Sequence, residues 1–445
     1  MFCLRNVLYR SKSLCYHFNP FPIFIRQEMN ENHEGYSSQQ RQHFSERVKN
    51  IKPSVWVQFT ALAAECEAVN IGQGFPDTPM PGFVAKMLEN IAKHPERTDW
   101  HQYCRGFGHP RLTNALAKLY SSTLVTVGAY LSLYYSFMGW LNDGDEVIVL
   151  DPAYDCYVPQ IIMAGGIPIP VMLDLPLEPK SSKDYTLNVK AIEEKISKRT
   201  KMIVLNNPHN PTGKLFTQEE LEKIADIVVR YNLLVVADEV YEWHVYGGKK
   251  MIRFASLPGM YKHTITIGSA GKAFSVTGWK LGWSVAPAEL LEPLKRIHQN
   301  CVFTCSTPIQ EAVAEAFEKE LDIIKTNPTE SYLKKGITSD LIQQRDRMAS
   351  ILRCAGMKPI IPDSGYFMVA DFSQLDKAED GSNDPLDFRF VRWLCREKKL
   401  AMIPNSAFYT DPNKEDNDHF IRACFFKSDK ILDAAESILK SFQTT

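Results

Sequence analysis

The sequence predicts an α/β protein with a large domain, whose mostly parallel sheet is flanked by helices, and a smaller α+β domain. The first observation is an alternation of short apolar runs with helical stretches, which is typical of parallel strands joined by crossover helices. This alternation predicts helices at 189–196 and 217–231 and strands at 202–205 and 233–237. The second observation is a later group of strands, at 365–370, 400–404 and 419–426, after a long helical region at 331–355.

The remaining elements follow from hydrophobic pattern and breaker residues, taken in chain order. The pattern predicts helices at 81–92, from Pro110 to near Tyr120, and from 287 into the three hundreds. It predicts strands at 124–127, 145–150 and 264–267. The strands at 145–150 and 233–237 are continuous apolar runs, as expected when helices cover both faces of a sheet.

Length and composition exclude several classes of protein. The chain has 445 residues, of which 44% are hydrophobic and 23% charged, enough for a large core. Its net charge of −1 gives no electrostatic case for nucleic acid or an anionic membrane. No apolar run approaches the roughly 20 residues that span a bilayer. The ten cysteines lack CxxC spacing, so we expect free thiols in a reducing compartment and no metal site.

The first 45 residues differ from the rest of the chain. Residues 1–26 contain Arg5, Arg10, Lys12 and Arg26, and no acidic residue precedes Glu28. This composition is typical of a mitochondrial presequence. The alternative is a dispensable leader, with Met29 as a second start that would leave the protein in the cytoplasm. Residues 30–45 are polar and predict a flexible segment.

The stretch 264–285 carries the strongest chemical signal. A β-rich run breaks into Gly268–Gly271, and Lys272 follows without an acidic neighbour. Desolvation shifts such a lysine toward the neutral amine, which can attack a carbonyl. Ser269 and Lys280, with free backbone N–H groups, suit a phosphate. Together they indicate pyridoxal phosphate (PLP). The alternative is a glycine-rich loop with two surface lysines.

Two further strand ends supply the groups that a PLP ring needs. Asn210 lies between two prolines after the strand at 202–205, and Asp238 and Tyr241 follow the strand at 233–237. Ligand sites in α/β sheets gather at the carboxyl ends of strands. Asp238 would keep the pyridine nitrogen protonated, and Asn210 and Tyr241 would contact the ring oxygen. The alternative for Asp238 is a helix cap.

An arginine within an apolar strand indicates an anion site. Arg422 lies in the run 420–426, where a buried guanidinium needs an anionic partner. Its planar fork suits the carboxylate of an amino-acid substrate. The alternative is a structural ion pair.

Several motifs together resemble the fold-type I PLP-dependent aminotransferases. The general ones are NNPHNPTG (206–213), DEVYEW (238–243) and SAGKAFSVTGWKLGW (269–283). GQGFPD (72–77), QYCRGFGHP (102–110), DCY (155–157) and IRACF (421–425) resemble the kynurenine aminotransferase and cysteine-S-conjugate β-lyase branch, also called glutamine transaminase K. The resemblance runs from about residue 48 to the C-terminus. It implies an N-terminal arm and part of the small domain at 46–77, a large PLP-binding domain at 78–325 and a small domain at 326–445.

The resemblance also implies roles within one subunit. The Gly74 backbone would contact the substrate carboxylate, and Asn210 would contact the substrate as well as the cofactor. Trp56 would line the side-chain pocket, unless it is a core aromatic. Ala129 and Tyr130 would donate N–H groups to the phosphate, and Tyr154 would stack on the cofactor ring.

Other residues of the resembling family serve the neighbouring subunit, which implies a homodimer. The tyrosine matching Tyr103 reaches the phosphate of the partner's cofactor, and the position of Phe303 enters the partner's active site.

One departure from the family lies at Ser121–Thr123. The family places about a dozen more residues before the strand at 124–127. We expect any resulting strain to fall on Gly128–Tyr130 and to weaken cofactor binding.

The sequence therefore predicts a transaminase that uses Lys272 as cofactor anchor and as base. Its substrates would be aromatic or sulfur-containing amino acids or glutamine, with a 2-oxo acid as acceptor and β-elimination from cysteine conjugates as a side reaction. Two alternatives remain, an alanine- or aspartate-type aminotransferase and a non-catalytic dimeric binding protein of the same fold.

Overall fold

The computed structural model describes residues 44–375, 380–410 and 413–444. The predicted leader lies almost wholly outside these residues, so it stays a prediction. Over the described ranges the helices are α1 (Glu46–Lys49), α2 (Val55–Glu65), α3 (Gly82–Ala92), α4 (Thr98–His101), α5 (Pro110–Ala117), α6 (Gly128–Trp140), α7 (Tyr157–Met163), α8 (Val189–Lys195), α9 (Gln218–Tyr231), α10 (Ala270–Ala273), α11 (Ala288–Cys301), α12 (Thr307–Thr326), α13 (Leu341–Cys354), α14 (Leu386–Lys398) and α15 (Asp429–Lys440).

The strands form three sheets. They are β1 (Val69–Asn70), β2 (Thr123–Thr126), β3 (Glu146–Asp151), β4 (Ile167–Met172), β5 (Thr200–Asn206), β6 (Leu234–Asp238), β7 (Thr264–Ser269), β8 (Gly282–Val285), β9 (Lys358–Ile360), β10 (Phe367–Asp371), β11 (Leu400–Ala401), β12 (Ile403–Pro404) and β13 (Phe420–Cys424). The largest sheet has seven strands in the order β2-β8-β7-β6-β5-β3-β4. Its five strands from β7 to β4 run parallel, whereas β8 is antiparallel to both neighbours. The predicted mostly parallel sheet is confirmed.

The large sheet is buried on both faces, because helices pack against each. On one face Val147 and Val204 join a core with α6 and α7, and on the other Ile148 and Ile203 join a core with α9. Helix α9 begins with a capping box between Thr217 and Glu220 and ends at Asn232, whose φ of 51° breaks the helix.

Parallel strands bring chemistry-bearing residues to one edge of this sheet. Asn206 ends β5 and pairs in register with Asp238, which ends β6, and Ser269 ends β7 next to them. The carboxyl ends of the strands therefore gather the residues predicted to hold a cofactor.

The C-terminal strands form an antiparallel sheet in the order β12-β13-β10-β9. Strand β13 places Arg422 opposite Val369 of β10. Strand β1 pairs with β11, which joins the N-terminal arm to the C-terminal region. The predicted domain boundaries at 77/78 and 325/326 stay predictions.

Two predicted helices are longer than the observed ones. The helical region predicted at 331–355 starts only at Leu341, because the buried carboxylate of Glu320 accepts hydrogen bonds from the Ser331 hydroxyl and the Leu333 N–H and holds that segment in turns. Helix α5 ends at Ala117 rather than near Tyr120, whose hydroxyl donates to the Glu242 carboxylate. Among the described helices, none combines the length and the apolar character needed to cross a membrane.

Candidate active site

A cavity of about 180 Å³ lies at the carboxyl edge of the large sheet. Apart from Tyr103, every residue predicted to hold the cofactor lines it. These residues are Ala129, Tyr130, Tyr154, Asn210, Asp238, Tyr241, Ser269, Lys272 and Lys280. The sequence pattern missed Asn206 and Thr277, which line the same wall and carried no separate signal.

Lys272 lies on the short helix α10 with its amine inside this site. Its Nζ donates to the carbonyl oxygen of Gly74 at 3.0 Å and to the hydroxyl of Tyr366 at 2.7 Å. Burial lowers the pKa of the Lys272 amine to about 8, and the charges of Arg422 and Lys280 act in the same direction. A substantial fraction of the amine is therefore neutral near physiological pH and available as a nucleophile or base.

The start of helix α6 forms the anion-binding end of the cavity. Gly128 has a φ of 75°, and Ala129 and Tyr130 follow it in the first turn, where N–H groups have no partner within the helix. Gly282 packs so closely that a Cβ there would lie 2.5 Å from the Ala129 nitrogen. Ser269 and Lys280 complete a set of donors that suits a phosphate.

Asp238 supplies a buried carboxylate to the wall of the cavity. Its Oδ2 accepts from the hydroxyl of Tyr157 at 2.7 Å. Burial raises the pKa of Asp238, and the bonds from Tyr157 and from the Val240 N–H oppose that rise. The segment after Asp238 forms turns rather than a helix, so Asp238 is not a helix cap. Tyr157 belongs to the DCY motif, but the sequence did not indicate its hydrogen bond to Asp238 because the two residues are 81 positions apart in the chain.

Arg422 is fully buried and surrounded by aromatic rings. Its Nη1 donates to Asn210 Oδ1 at 2.9 Å and its Nη2 to the Gly72 carbonyl oxygen at 3.0 Å. Its Nε has no hydrogen-bond partner among the residues that the structure describes. Burial lowers the pKa of Arg422 to about 10. Because neither hydrogen-bond acceptor is charged, the guanidinium can accept an anionic ligand.

The rings around the guanidinium form an aromatic wall of Trp56, Phe367 and Phe408. Their centroids lie 4.9, 4.0 and 4.7 Å from the guanidinium carbon of Arg422. A Cβ on Gly74 would lie 2.4 Å from the Phe367 ring, so only glycine fits there.

Trp56 is held in this wall by Asp155, a contact that sequence reasoning missed. The indole Nε1 donates to Asp155 Oδ1 at 2.8 Å, and the Ser54 hydroxyl donates to Asp155 Oδ2 at 2.7 Å. Asp155 is the first residue of the DCY motif, which was the sequence feature that could have indicated this contact. The contact fixes the start of α2 beside the substrate side of the site.

Tyr103 and Phe303 are not brought to this cavity. They contact each other edge to face at 5.4 Å, and their side chains are 82% and 59% exposed. Neither lines the cavity of its own chain in the part that the structure describes. Their predicted role in a neighbouring subunit stays a prediction.

Comparison with known proteins agrees with this geometry. Residues 67–438 match the family model for class I and II aminotransferases. The chain belongs to this family. Kynurenine--oxoglutarate transaminase 3 of Homo sapiens is 45% identical over 414 residues, which are 89% of this chain and 90% of that protein. Kynurenine--oxoglutarate transaminase 1 of Mus musculus is 40% identical, over 89% of this chain and 97% of that protein.

Solved structures agree with the fold of this aminotransferase. Bna3p of Saccharomyces cerevisiae has a TM-score of 0.81 and 31% identity, covering 89% of this chain and 97% of that chain. The N-succinyldiaminopimelate aminotransferase of Mycobacterium tuberculosis has a TM-score of 0.79 and 31% identity, covering 89% and 99%. The predicted fold-type I architecture is confirmed.

The aminotransferase is PLP-dependent, as its family is, and its cavity fits that cofactor. A carbonyl-reactive amine, an array of phosphate donors and a buried carboxylate converge on one cavity. Among the described residues, Asp238 accepts hydrogen bonds only from neutral groups, the Tyr157 hydroxyl and the Val240 N–H. Its carboxylate is therefore available to pair with a protonated ring nitrogen.

The short connection before β2 still allows this strand to pair in register with β8. Because α5 ends at Ala117, residues 118–122 bridge to Thr123, which pairs with Val285. The Ser122 carbonyl oxygen accepts from the Ala286 N–H at 3.3 Å. Ala129 and Tyr130 therefore keep their place in the cavity wall, and the expected loss of cofactor affinity stays a prediction.

Proposed function

We propose that this aminotransferase moves the amino group of kynurenine or a related aromatic or sulfur-containing amino acid, or of glutamine, to a 2-oxo acid such as 2-oxoglutarate. The observation that carries this proposal is the aromatic wall of Trp56, Phe367 and Phe408 around the buried Arg422. Relatives named kynurenine--oxoglutarate transaminase 3 and 1 support it at 45% and 40% identity.

The same geometry argues against an aspartate-type substrate. A second substrate carboxylate would want a second cation, and the three rings of the aromatic wall that lie nearest Arg422 supply none. The alternative of a non-catalytic binding protein is not favoured, because Lys272 and Asp238 meet in one cavity.

In the proposed reaction each residue has a defined task. Arg422 binds the substrate carboxylate, and the aromatic wall contacts the side chain. When bound, the cofactor supplies an electron sink for the electrons left by Cα–H cleavage. Lys272 Nζ takes the proton from Cα and would deliver it to the cofactor carbon that carried the carbonyl group. Asp238 keeps the ring nitrogen protonated.

A panel of amino acids on the purified protein tests this proposal. We expect kcat/KM for kynurenine and phenylalanine to exceed that for aspartate and alanine by at least about tenfold, equivalent to about 1.4 kcal/mol. A preference for aspartate would contradict the proposal. We further propose β-lyase side activity, since the same loss of the Cα proton can expel a β leaving group. Pyruvate release from a cysteine conjugate without an oxo acid measures it, with Lys272→Ala as the blank.

We also propose that the protein is a homodimer in which Tyr103 and Phe303 serve the partner's site. Their exposure at 82% and 59% supports it, because large exposed aromatic rings are typical of interfaces. The test mixes Lys272→Ala with Tyr103→Ala, each weakly active alone, after reversible dissociation. One intact site forms in each mixed dimer, so activity should return to roughly a quarter of wild type. No recovery in a mixture that sediments as dimers would place Tyr103 in its own site.

We propose that residues 1–26 direct the protein to mitochondria. The motivation is Arg5, Arg10, Lys12 and Arg26 without acidic residues among them. A reporter carrying residues 1–30 should co-localise with mitochondria, and replacing the four basic residues by glutamine should abolish this. A cytosolic wild-type reporter would instead favour Met29 as the working start.

A further inference from the structure

The phenol of Tyr366 lies at the centre of the site, although no sequence motif singled it out. Tyr366 is fully buried, and its hydroxyl donates to the Gly74 carbonyl oxygen at 3.0 Å. The hydroxyl oxygen of Tyr366 also accepts a hydrogen bond from Lys272 Nζ at 2.7 Å. Its ring meets that of Tyr241 edge to face at 5.2 Å, and the two hydroxyls interact. Tyr366 therefore contacts the catalytic amine, the substrate-side backbone and a cofactor-binding tyrosine.

We propose that Tyr366 is a positioning residue that holds the Lys272 amine whenever this amine is not bonded to the cofactor, and that it sets the proton affinity of the amine. During each half-reaction the substrate amine displaces Lys272, whose Nζ must then stay close enough to reach the substrate Cα. In the structure Nζ donates to both the Tyr366 hydroxyl oxygen and the Gly74 carbonyl oxygen, which together define a position for the amine inside the site. This inference rests on the aminotransferase activity but not on the choice of substrate.

The hydrogen-bond directions give the sign of the effect. An ammonium donates more strongly than an amine, so both oxygens favour the charged form of Lys272. Burial acts in the opposite direction and lowers the pKa of the Lys272 amine. Among the other groups near Nζ, the charge of Asp238 favours the ammonium, whereas Arg422 and Lys280 oppose it. The Tyr241 ring lies 5.3 Å from Nζ. Burial raises the pKa of the Cys424 thiol and lowers the pKa of the His244 imidazole to about 3, so both of these neighbours are neutral near pH 7. Without the Tyr366 oxygen, the lowering of the Lys272 pKa by burial is less opposed. The pKa of the amine therefore falls further, and the amine becomes a weaker base.

A purely structural role for Tyr366 is the competing explanation. Its ring packs against Phe367 at 4.7 Å and Phe426 at 5.6 Å, contacts that a phenylalanine would keep. Tyr366→Phe therefore removes the hydroxyl and leaves the packing. The matched control is Tyr185→Phe, because Tyr185 is also fully buried and its hydroxyl has no hydrogen-bond partner in the described part of the chain.

The experiment is a single-turnover half-reaction of the holoenzyme at saturating amino acid, followed by cofactor absorbance across pH. The amino acid is the best substrate found for the wild-type enzyme, with hydrogen or deuterium at Cα. For Tyr366→Phe we expect the acid limb to move down by about one pH unit, since a charged hydrogen bond is lost. We expect the plateau rate to fall about tenfold and the isotope effect to rise, because proton transfer by Lys272 becomes slower. The KM for the amino acid should change less than about threefold.

A second variant keeps the test valid if Tyr366→Phe fails to fold or to hold the cofactor. Incorporation of 3-fluorotyrosine at position 366 keeps the ring and makes its oxygen a weaker acceptor, so the acid limb should move in the same direction by a smaller amount. An acid limb and isotope effect equal to those of wild type in both variants would overturn the proposal. Wild-type enzyme without turnover on any amino acid would instead refute the aminotransferase function and is recognised before any variant is made. Tyr185→Phe should match wild type throughout.

Discussion

Replacing Lys272 by alanine should lower turnover by more than about 10⁴-fold, the upper end of what one acid–base group contributes. The loss is this large because one side chain both anchors the cofactor and moves the substrate proton. The Lys272 side chain lines the cavity, and burial lowers the pKa of its amine to about 8. The variant should still bind PLP through the phosphate donors and Asp238, so cofactor absorbance should persist and stay unchanged when amino acid is added.

Borohydride reduction and peptide mapping provide an independent check of the anchor. The pyridoxyl group should lie on Lys272, and the Lys272→Ala protein should carry none. Lys280 is the matched control, since its side chain lines the same cavity but lies beside the start of α6, where a Cβ on Gly128 would be 3.5 Å from Nζ. Lys280→Ala should bind PLP more weakly and keep the label on Lys272. A pyridoxyl group found on Lys280 would disprove the assignment.

Much of the site could be predicted because its residues follow strand ends. Asn210, Asp238 and Ser269 each come just after, or at the end of, an apolar run, and the parallel sheet then fixes them at one edge. Lys272 could be predicted because a lysine among small and apolar residues has a distinctive chemistry. The mostly parallel sheet followed from the alternation of strand and helix, whereas the order of its strands was not predicted.

The contacts that sequence reasoning missed join segments far apart in the chain. Tyr157 donates to Asp238 across 81 residues, Trp56 to Asp155 across 99, and Lys272 to Tyr366 across 94. A hydrophobic pattern reports which face of an element is buried, not which buried polar groups meet. The ends of some elements also differ from the prediction because they depend on contacts between distant segments. The helix predicted at 331–355 starts later because the Glu320 carboxylate, which lies on another helix, binds Ser331 and Leu333.

Replacing Asp238 by asparagine should slow the half-reaction by at least about 100-fold, equivalent to about 2.7 kcal/mol of barrier. The reason is charge, because a neutral amide cannot stabilise a protonated ring nitrogen. The structure makes this a clean substitution, since asparagine keeps an oxygen that can accept from Tyr157 and changes the volume little. Rapid mixing with amino acid, read from cofactor absorbance, measures the rate. A near-normal rate would remove Asp238 from the electron-sink role.

Glu239→Gln is the matched control for this prediction. Glu239 is the next residue, is equally buried, and accepts a hydrogen bond from the Phe254 N–H at 2.9 Å. Burial raises the pKa of Glu239 to about 8, so its carboxyl is mostly protonated at pH 7 and glutamine leaves the charge nearly unchanged. The half-reaction of Glu239→Gln should therefore stay within about threefold of wild type. If both variants slow equally, the effect of Asp238→Asn is structural; if only Asp238→Asn slows, the charge at the ring nitrogen accounts for it.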